Sequence, residues 1–105
     1  MSGVPSITDE ERRRALSAAV EKRRERAQFK ALVKSGEIDR AAALSDERAA
    51  GIKVEELLRS MPGIGKRNAE RIMALCEIAP NRRVRGLGRR QRERLGDAVA
   101  HWDPK

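Results

Sequence analysis

Apolar residues recur at helical spacing in three separate stretches of the chain. In each stretch they occupy positions i, i+3, i+4 and i+7, which lie on one face of an α-helix. The three sets are Val54, Leu57, Leu58 and Met61; Ala69, Ile72, Met73 and Cys76; and Leu95, Ala98, Val99 and Trp102. The pattern predicts a helix that ends before Pro62, a second that starts at Lys66, and a third over residues 89–101. Strand-like alternation is absent from the sequence, so we expect an all-α fold.

A longer helix is predicted nearer the N-terminus. Thr8 followed by Glu11 matches a capping box, and the acidic residues of the first turn complement the positive end of a helix dipole. No helix breaker occurs before Gly36, which stands where a C-terminal glycine is expected. We predict a long basic helix of about seven turns over residues 9–35, preceded by a flexible segment over residues 1–8. Its apolar residues are dense only in the second half, so the first half is expected to project.

Residues 37–105 are predicted to form a small multi-helix head, and the chain of 105 residues a single domain. Within the head, residues 38–44 contain a short helical pattern, and residues 45–51 are typical of a connection with one helical turn. Residues 38–51 are the least informative part of the sequence, and we assign them no role.

Charge narrows the class of partner. The chain has 24 Lys and Arg residues against 16 Asp and Glu residues, a formal net charge of +8. Residues 1–34, 35–60 and 61–105 carry net charges of +4, −2 and +6, so the positive surplus lies at the two ends of the sequence. Such a basic surface favours a polyanionic partner, because each phosphate contact releases counterions.

Other classes of protein lack the residues they need. Cys76 and His101 are the only cysteine and the only histidine, which excludes an intramolecular disulfide and the usual zinc sites. Cys76 lies at an apolar helical position and is expected in the core. No apolar run approaches the roughly 20 residues that span a bilayer, and MSGVPSITDEE has acids where a signal peptide has an apolar centre. We expect a cytoplasmic protein with no metal, no cofactor, no membrane partner, no small-molecule substrate and no enzymatic activity.

The sharpest motif is MPGIGKRNA over residues 61–69, between two predicted helices. Gly63 and Gly65 can adopt positive φ and let the backbone approach another surface, while Ile64 between them can point inward and hold the turn. The free N–H groups of the next helix, with Lys66 and Arg67 beside them, are suited to bind a phosphate. The alternative is a plain tight turn between helices. The two basic residues and the flanking helices favour the phosphate site.

A second basic segment holds seven arginines between positions 82 and 94, opposed only by Glu93. Arginine offers planar recognition of phosphate and suits a narrow minor groove. The candidates for nucleic-acid contact are Arg82, Arg83, Arg85, Gly86, Arg89 and Arg90. We expect the first three in a loop beside the glycine turn, and we interpret Arg92 and Arg94 as part of a solvated helix face.

The long N-terminal helix carries a third basic region. Its acids at positions 21 and 25 can pair along the helix, so a solvated face is the simpler interpretation. A secondary DNA contact is the alternative, and its candidates are Arg12, Arg13, Arg23 and Arg24.

Over residues 54–90 the chain resembles the actinobacterial type of integration host factor, a family of nucleoid-associated proteins. The resemblance rests on KVEELLRSMPGIGKRNAERIM and IAPNRRVRGLGRRQR, and it extends weakly through TDEERRRALSAAVEKRRERAQFKALVKSG. It implies a long N-terminal helix that leads into a head with a helix-two-turns-helix module. It also implies binding of double-stranded DNA with little sequence preference, mostly through phosphates, and bending or compaction that affects DNA topology and site-specific recombination.

The resemblance also implies roles for particular residues. Residues 63–66 look like the phosphate-binding turn, and Arg82, Arg83 and Arg85 look like arginines that enter an adjacent groove. Residues 89–90 make this end more basic than the family pattern requires. The resemblance also implies a location in the nucleoid. We expect a monomer in solution, because the long helix has no sustained heptad pattern.

Three alternatives stay open. A ribosomal or other structured-RNA-binding protein shares the module and the basic surface, but is expected to carry a long basic C-terminal tail, whereas this sequence closes with HWDPK. A base-excision glycosylase can hold a Gly-x-Gly turn, but it needs a catalytic residue in a pocket and a larger scaffold. A helical protein-interaction module predicts weak salt dependence and tolerance to loss of the loop arginines.

Overall fold

The computed structural model describes residues 8–102, and this part of the chain is helical with no strand. Five α-helices and two 3₁₀ turns follow one another over these residues: α1 Asp9–Ser35, α2 Arg40–Leu44, a 3₁₀ turn Glu47–Ala49, α3 Val54–Ser60, α4 Lys66–Leu75, a 3₁₀ turn Val84–Gly86, and α5 Arg89–Ala100. The prediction of an all-α fold with a long N-terminal helix is confirmed. Apart from Thr8, the flexible segment predicted at the N-terminus lies outside the described residues, as do the last three residues of the predicted head.

The ends of α1 are formed by the predicted local signals. The Thr8 hydroxyl accepts a hydrogen bond from the Glu11 N–H at 3.1 Å, and the Glu11 carboxylate accepts one from the Thr8 N–H at 3.4 Å. Gly36 has a φ of 85° and donates its N–H to the carbonyl of Val33. Every residue of α1 up to position 25 is exposed, whereas Phe29 and Val33 are buried. The first half of α1 therefore projects from the head, as predicted.

The second half of α1 is docked on the head through Phe29. The Arg48 guanidinium lies over the Phe29 ring, 4.9 Å from its centroid. Arg48 also donates two side-chain hydrogen bonds to the Asp46 carboxylate, at 3.0 and 2.9 Å, and these hold the pKa of Asp46 below its ordinary value. An ion pair of 2.7 Å between Lys30 and Glu56 joins α1 to α3. The docked half thus combines an apolar anchor with polar contacts at its edge.

The core of the head is formed by the apolar faces of the short helices. α3 packs against α4, and α2 packs against α5. Cys76 is 4% exposed, and burial raises the pKa of its thiol, which confirms the prediction that it belongs to the core. The largest fully buried side chains are Phe29, Ile52, Leu57, Leu58, Ile72, Leu95, Val33, Val54, Val84 and Val99.

Helix α4 ends in a left-handed residue that is not glycine. Glu77 has a φ of 57°, and the N–H of the following Ile78 donates to the carbonyl of Met73 at 2.9 Å. The Gln91 amide donates to the Glu77 carbonyl at 2.8 Å and accepts from the Gly88 N–H at 2.9 Å. Gln91 therefore ties the end of α4 to the start of α5 and holds Glu77 in a strained conformation.

Replacing Glu77 with glycine is expected to stabilise the fold. Relief of left-handed strain, about 1–2 kcal/mol, exceeds the extra chain entropy of glycine, about 0.5–1 kcal/mol. We expect Glu77→Gly to raise the free energy of unfolding by about 0.5–1 kcal/mol in urea denaturation followed by circular dichroism. The control Glu77→Ala keeps the strain and loses the 3.8 Å ion pair with Arg94. Equal stability of the two variants would contradict the strain argument.

Candidate nucleic-acid interface

The glycine turn, residues 61–65, joins α3 to α4. Gly63 has a φ of 79°, as predicted, and Ile64 points inward with 3% of its surface exposed. The Ile64 N–H donates to the carbonyl of Met61 at 3.1 Å and closes the turn. The expectation of positive φ at Gly65 is wrong: its φ is −88° and its ψ is −177°. Gly65 is the N-cap of α4, where extended backbone is the ordinary conformation.

The surface in front of the α4 N-terminus is open. No side chain caps the first N–H groups of α4, and Lys66 and Arg67 beside them are exposed. A Cβ built on Gly65 would meet no atom of the described residues within 4 Å. The helix end therefore offers unpaired donors and two cations to solvent, which is the arrangement predicted for phosphate binding.

Two residues that were not predicted from the sequence donate side-chain hydrogen bonds to carbonyl groups of this turn. Arg40, the first residue of α2, donates to the carbonyl of Pro62 at 3.2 Å and to that of Trp102 at 3.1 Å. The Trp102 indole N–H donates to the carbonyl of Gly63 at 3.0 Å. The partners are 22 to 62 positions apart in sequence, so no local pattern could reveal them. The spacing of Trp102 predicted only its place on a helix face.

The arginine loop, residues 82–86, is fixed by backbone pairing with the segment that precedes α3. The hydrogen bonds run from Val54 N–H to Arg82 O at 2.9 Å, from Val84 N–H to Ile52 O at 3.0 Å, and from Arg85 N–H to Ala50 O at 3.0 Å. This pairing places the loop at the N-terminal end of α3, whereas the glycine turn follows its C-terminal end. The loop and the turn thus lie at opposite ends of the same helix. They are separated by the length of α3, about 10 Å at 1.5 Å per residue.

The three loop arginines differ in their freedom. Arg82 donates to the Gly86 carbonyl at 3.1 Å, and half-buried Arg83 donates to the Gly51 carbonyl at 2.6 Å. Arg85 is exposed, and its side chain makes no hydrogen bond with residues 8–102. A Cβ on Gly86 would lie 3.0 Å from the Arg82 Cδ, so this glycine accommodates the arginine stem. Arg85 is thus the loop guanidinium most available to a ligand.

Arg85 faces a cleft that α1 also lines. The cleft lies between the middle of α1, the first 3₁₀ turn and the arginine loop, and it is lined by Lys22, Glu25, Arg26, Glu47, Arg48, Gly51, Arg83 and Arg85. Guanidinium nitrogens of Arg26 and Arg85 lie 3.9 and 4.0 Å from the position of a Cβ on Gly51. Five cations and two carboxylates thus surround one depression, which suits an anionic ligand.

The cationic residues that α1 contributes to this cleft are Lys22 and Arg26. They share the face of Phe29 and Val33 at spacings of three and four residues, a signal that could have identified them from the sequence. The four candidates named on α1 are exposed and are absent from the cleft: Arg12, Arg13, Arg23 and Arg24. One of them, Arg24, lies 3.8 Å from Glu21 on the same helix.

The arginines of α5 divide into exposed and structural residues. Arg89 and Arg90 are exposed, and Arg89 lies 3.4 Å from Glu93. The interpretation of Arg92 as solvated is wrong: it is half-buried and donates to the carbonyls of Leu44 and Val84, at 2.8 and 3.0 Å. The planar fork of arginine can reach two acceptors at once, which no helical spacing reveals. Arg94, predicted to be solvated, is exposed and lies 3.8 Å from Glu77.

The fold and the turn between α3 and α4 correspond to a known class of domain. Residues 37–98 match the family model of the S13-like H2TH domain, where H2TH denotes helix-two-turns-helix. The chain contains an H2TH domain that follows a long helix. No helix within residues 8–102 is long and apolar enough to cross a membrane.

Close relatives define the family more narrowly. The chain is 45% identical to the integration host factor of Mycobacterium tuberculosis over 96 residues, 88% of this chain and 91% of the relative. It is 40% identical to that of Streptomyces coelicolor over 96 residues, 84% of this chain and 86% of the relative. A solved structure of sIHF bound to an 8 bp palindromic DNA has a TM-score of 0.74 at 34% identity, covering 79% of this chain and 98% of that chain. The chain belongs to the integration host factor family.

Replacing Arg92 is expected to destabilise the fold without a change of charge. In Arg92→Lys a single ammonium cannot reach both carbonyls, so we expect a loss of about 1–2 kcal/mol in the free energy of unfolding. The matched control, Arg90→Lys, alters an exposed residue of the same helix and is expected to stay within about 0.5 kcal/mol of the wild type. Chemical denaturation of the two variants checks this, and equal stability would argue against a structural role for Arg92.

Proposed function

We propose that the protein binds double-stranded DNA with little sequence preference and bends or compacts it as an architectural protein of the nucleoid. Through this action it affects DNA topology and site-specific recombination. The observation that carries the proposal is the open N-terminus of α4 behind Gly65. The proposal is supported by the 34% identical relative, which was solved in complex with DNA.

The glycine turn is proposed to bind a backbone phosphate. Gly65 has an ordinary φ and open space around its missing Cβ, so the fold of the described residues does not require a glycine here. Ser, Asp or Asn would cap α4 more strongly. Glycine becomes an advantage when a ligand approaches the helix end closely from outside. A phosphate placed there accepts hydrogen bonds from the free N–H groups and is attracted by Lys66 and Arg67.

The cleft is proposed as a second contact on the same duplex. Arg85 has a guanidinium without a partner among residues 8–102, and Arg26 and Lys22 supply positive charge beside it. The arginine loop, which forms one side of the cleft, and the turn are about 10 Å apart along α3, less than one helical turn of B-DNA, about 34 Å. We therefore propose that one duplex contacts both. Arg82 and Arg83 position this surface, and the exposed residues 89–90 extend it.

Compaction is proposed to use the projecting half of α1. This half carries the exposed Arg12 and Arg13, and the exposed Arg23 and Arg24 follow on the same helix, next in sequence to the residues that line the cleft. Arginines on a solvated helix can contact a second DNA segment through phosphates alone, without sequence preference.

Structured RNA is the second candidate partner, because the matched domain is of the S13-like type and a ribosomal protein was the main alternative from the sequence. The same turn and arginines would contact RNA phosphates. A direct comparison of matched DNA and RNA duplexes decides between the two, and tighter binding of the RNA duplex would replace the DNA proposal.

Binding is expected to depend steeply on salt. If six to ten phosphates are contacted, affinity for a generic duplex falls about 10³- to 10⁵-fold between 50 and 200 mM salt. Arg85→Ala is expected to reduce the slope of log K against log salt by about one and to weaken binding to all sequences alike. Arg94→Ala removes the same charge from the pair with Glu77 and is expected to change the slope little. A flat salt response of the wild type would exclude a phosphate-dominated interface.

Replacement of Gly65 gives an independent test of phosphate binding at the turn. Gly65→Ala is expected to leave the thermal transition almost unchanged, since its Cβ meets open space, and to weaken duplex binding about tenfold or more by obstructing the phosphate. In the control Gly96→Ala the new Cβ also meets open space, but inside α5, so we expect a gain of about 0.5–1 kcal/mol in stability and unchanged binding. Tight DNA binding by Gly65→Ala would show that no phosphate approaches this helix end.

A further inference from the structure

We propose that Arg40 and Trp102 are positioning residues that set the turn in its phosphate-binding conformation. This inference rests on the proposed function. The two residues lie near opposite ends of the head in sequence. Arg40 donates a hydrogen bond to the carbonyl of Pro62, and Trp102 donates one to the carbonyl of Gly63. Arg40 also donates to the Trp102 carbonyl at 3.1 Å, so the two residues form one connected unit.

The turn has two available conformations, and the unit selects one of them. Met61 and Ile64 are joined by the closing hydrogen bond, Pro62 is the second residue of the turn, and Gly63 is the third with a φ of 79°. This is a type II turn. A type I turn with the same ends differs by rotation of the central peptide, the one between Pro62 and Gly63. Because Arg40 holds the Pro62 carbonyl, rotation of that peptide would break its hydrogen bond.

The direction of that peptide determines what the turn presents to a ligand. In a trans peptide the C=O and the N–H point in opposite directions, and the described residues contain no cis peptide. Holding the Pro62 carbonyl against Arg40 therefore directs the Gly63 N–H to the other side, on a residue that is exposed. Within residues 8–102 no acceptor is bonded to this N–H, whereas the Ile64 N–H is used inside the turn.

Electrostatic repulsion between carbonyl oxygens and phosphate also favours this conformation of the turn for phosphate binding. A carbonyl oxygen that turned outward would repel a phosphate, since both carry negative charge. The Trp102 indole holds the Gly63 carbonyl at 3.0 Å and Arg40 holds the Pro62 carbonyl at 3.2 Å. The outer face of the turn is then left with the Gly63 N–H and the first N–H groups of α4. We infer that these donors bind one phosphate together.

Two conservative variants test the inference. Arg40→Lys keeps the charge but cannot bridge two carbonyls, and Trp102→Phe keeps an aromatic ring but lacks the donor. We expect each to weaken binding of a generic duplex about tenfold at one fixed salt concentration, the loss typical of a hydrogen bond to a charged group. Val99→Ala, which removes two methyl groups from a fully buried site in α5, is the stability control. All proteins are measured where circular dichroism shows them folded.

The outcomes separate positioning from stability. Unchanged affinity in Val99→Ala together with weaker binding in Arg40→Lys and Trp102→Phe supports the inference. So does a Gly63 amide resonance that shifts on addition of duplex to the wild type but not to Arg40→Lys. Wild-type affinity in both conservative variants overturns this inference alone. Absence of duplex binding by the wild type itself overturns the proposed function, and the inference with it.

Discussion

The shape of the cationic surface depends on backbone pairing between residues 50–54 and the arginine loop. Buried N–H and C=O groups must find partners, and in this helical head the segment that leads into α3 pairs with the loop that contains the second 3₁₀ turn. The pairing directs Arg83 toward the Gly51 carbonyl and places the Val84 carbonyl within reach of Arg92. Guanidinium groups repel one another, so the side chains of the loop alone would not hold its arginines close together. The backbone hydrogen bonds fix the conformation of the loop, and this conformation determines where the arginine side chains lie.

Burial of apolar residues of α1 fixes the positions of the cations that α1 contributes to the cleft. Phe29 and Val33 anchor the second half of α1, and their helix face continues into Lys22 and Arg26. Burial of Phe29 is favourable by a few kcal/mol, whereas bringing like charges together is unfavourable. The anchor therefore holds cations that would otherwise separate. Glu25 and Glu47 reduce this repulsion from within the cleft.

Local signals in the sequence predicted the helices well. The capping box at Thr8, the left-handed Gly36 and the inward Ile64 are each determined by residues within a few positions, and all are present. The pairing that fixes the arginine loop was not predicted, because it depends on a segment about 30 positions earlier in the chain. The unit of Arg40 and Trp102 escaped prediction for the same reason. Long-range hydrogen bonds leave no periodicity in the sequence, and the extended conformation of Gly65 became known only from the structure.

The bonds that hold Arg83 and Arg82 before any ligand arrives have a consequence for the thermodynamics of association. A free arginine side chain loses up to about 2 kcal/mol of rotamer entropy when it becomes fixed. Here part of that entropy is lost during folding, so association with a polyanion need not lose it again. Arg85, which has no such bond within the described residues, retains its freedom and loses it on contact. Within one short loop, Arg82 and Arg83 thus lose part of their side-chain entropy during folding, whereas Arg85 loses its entropy during association.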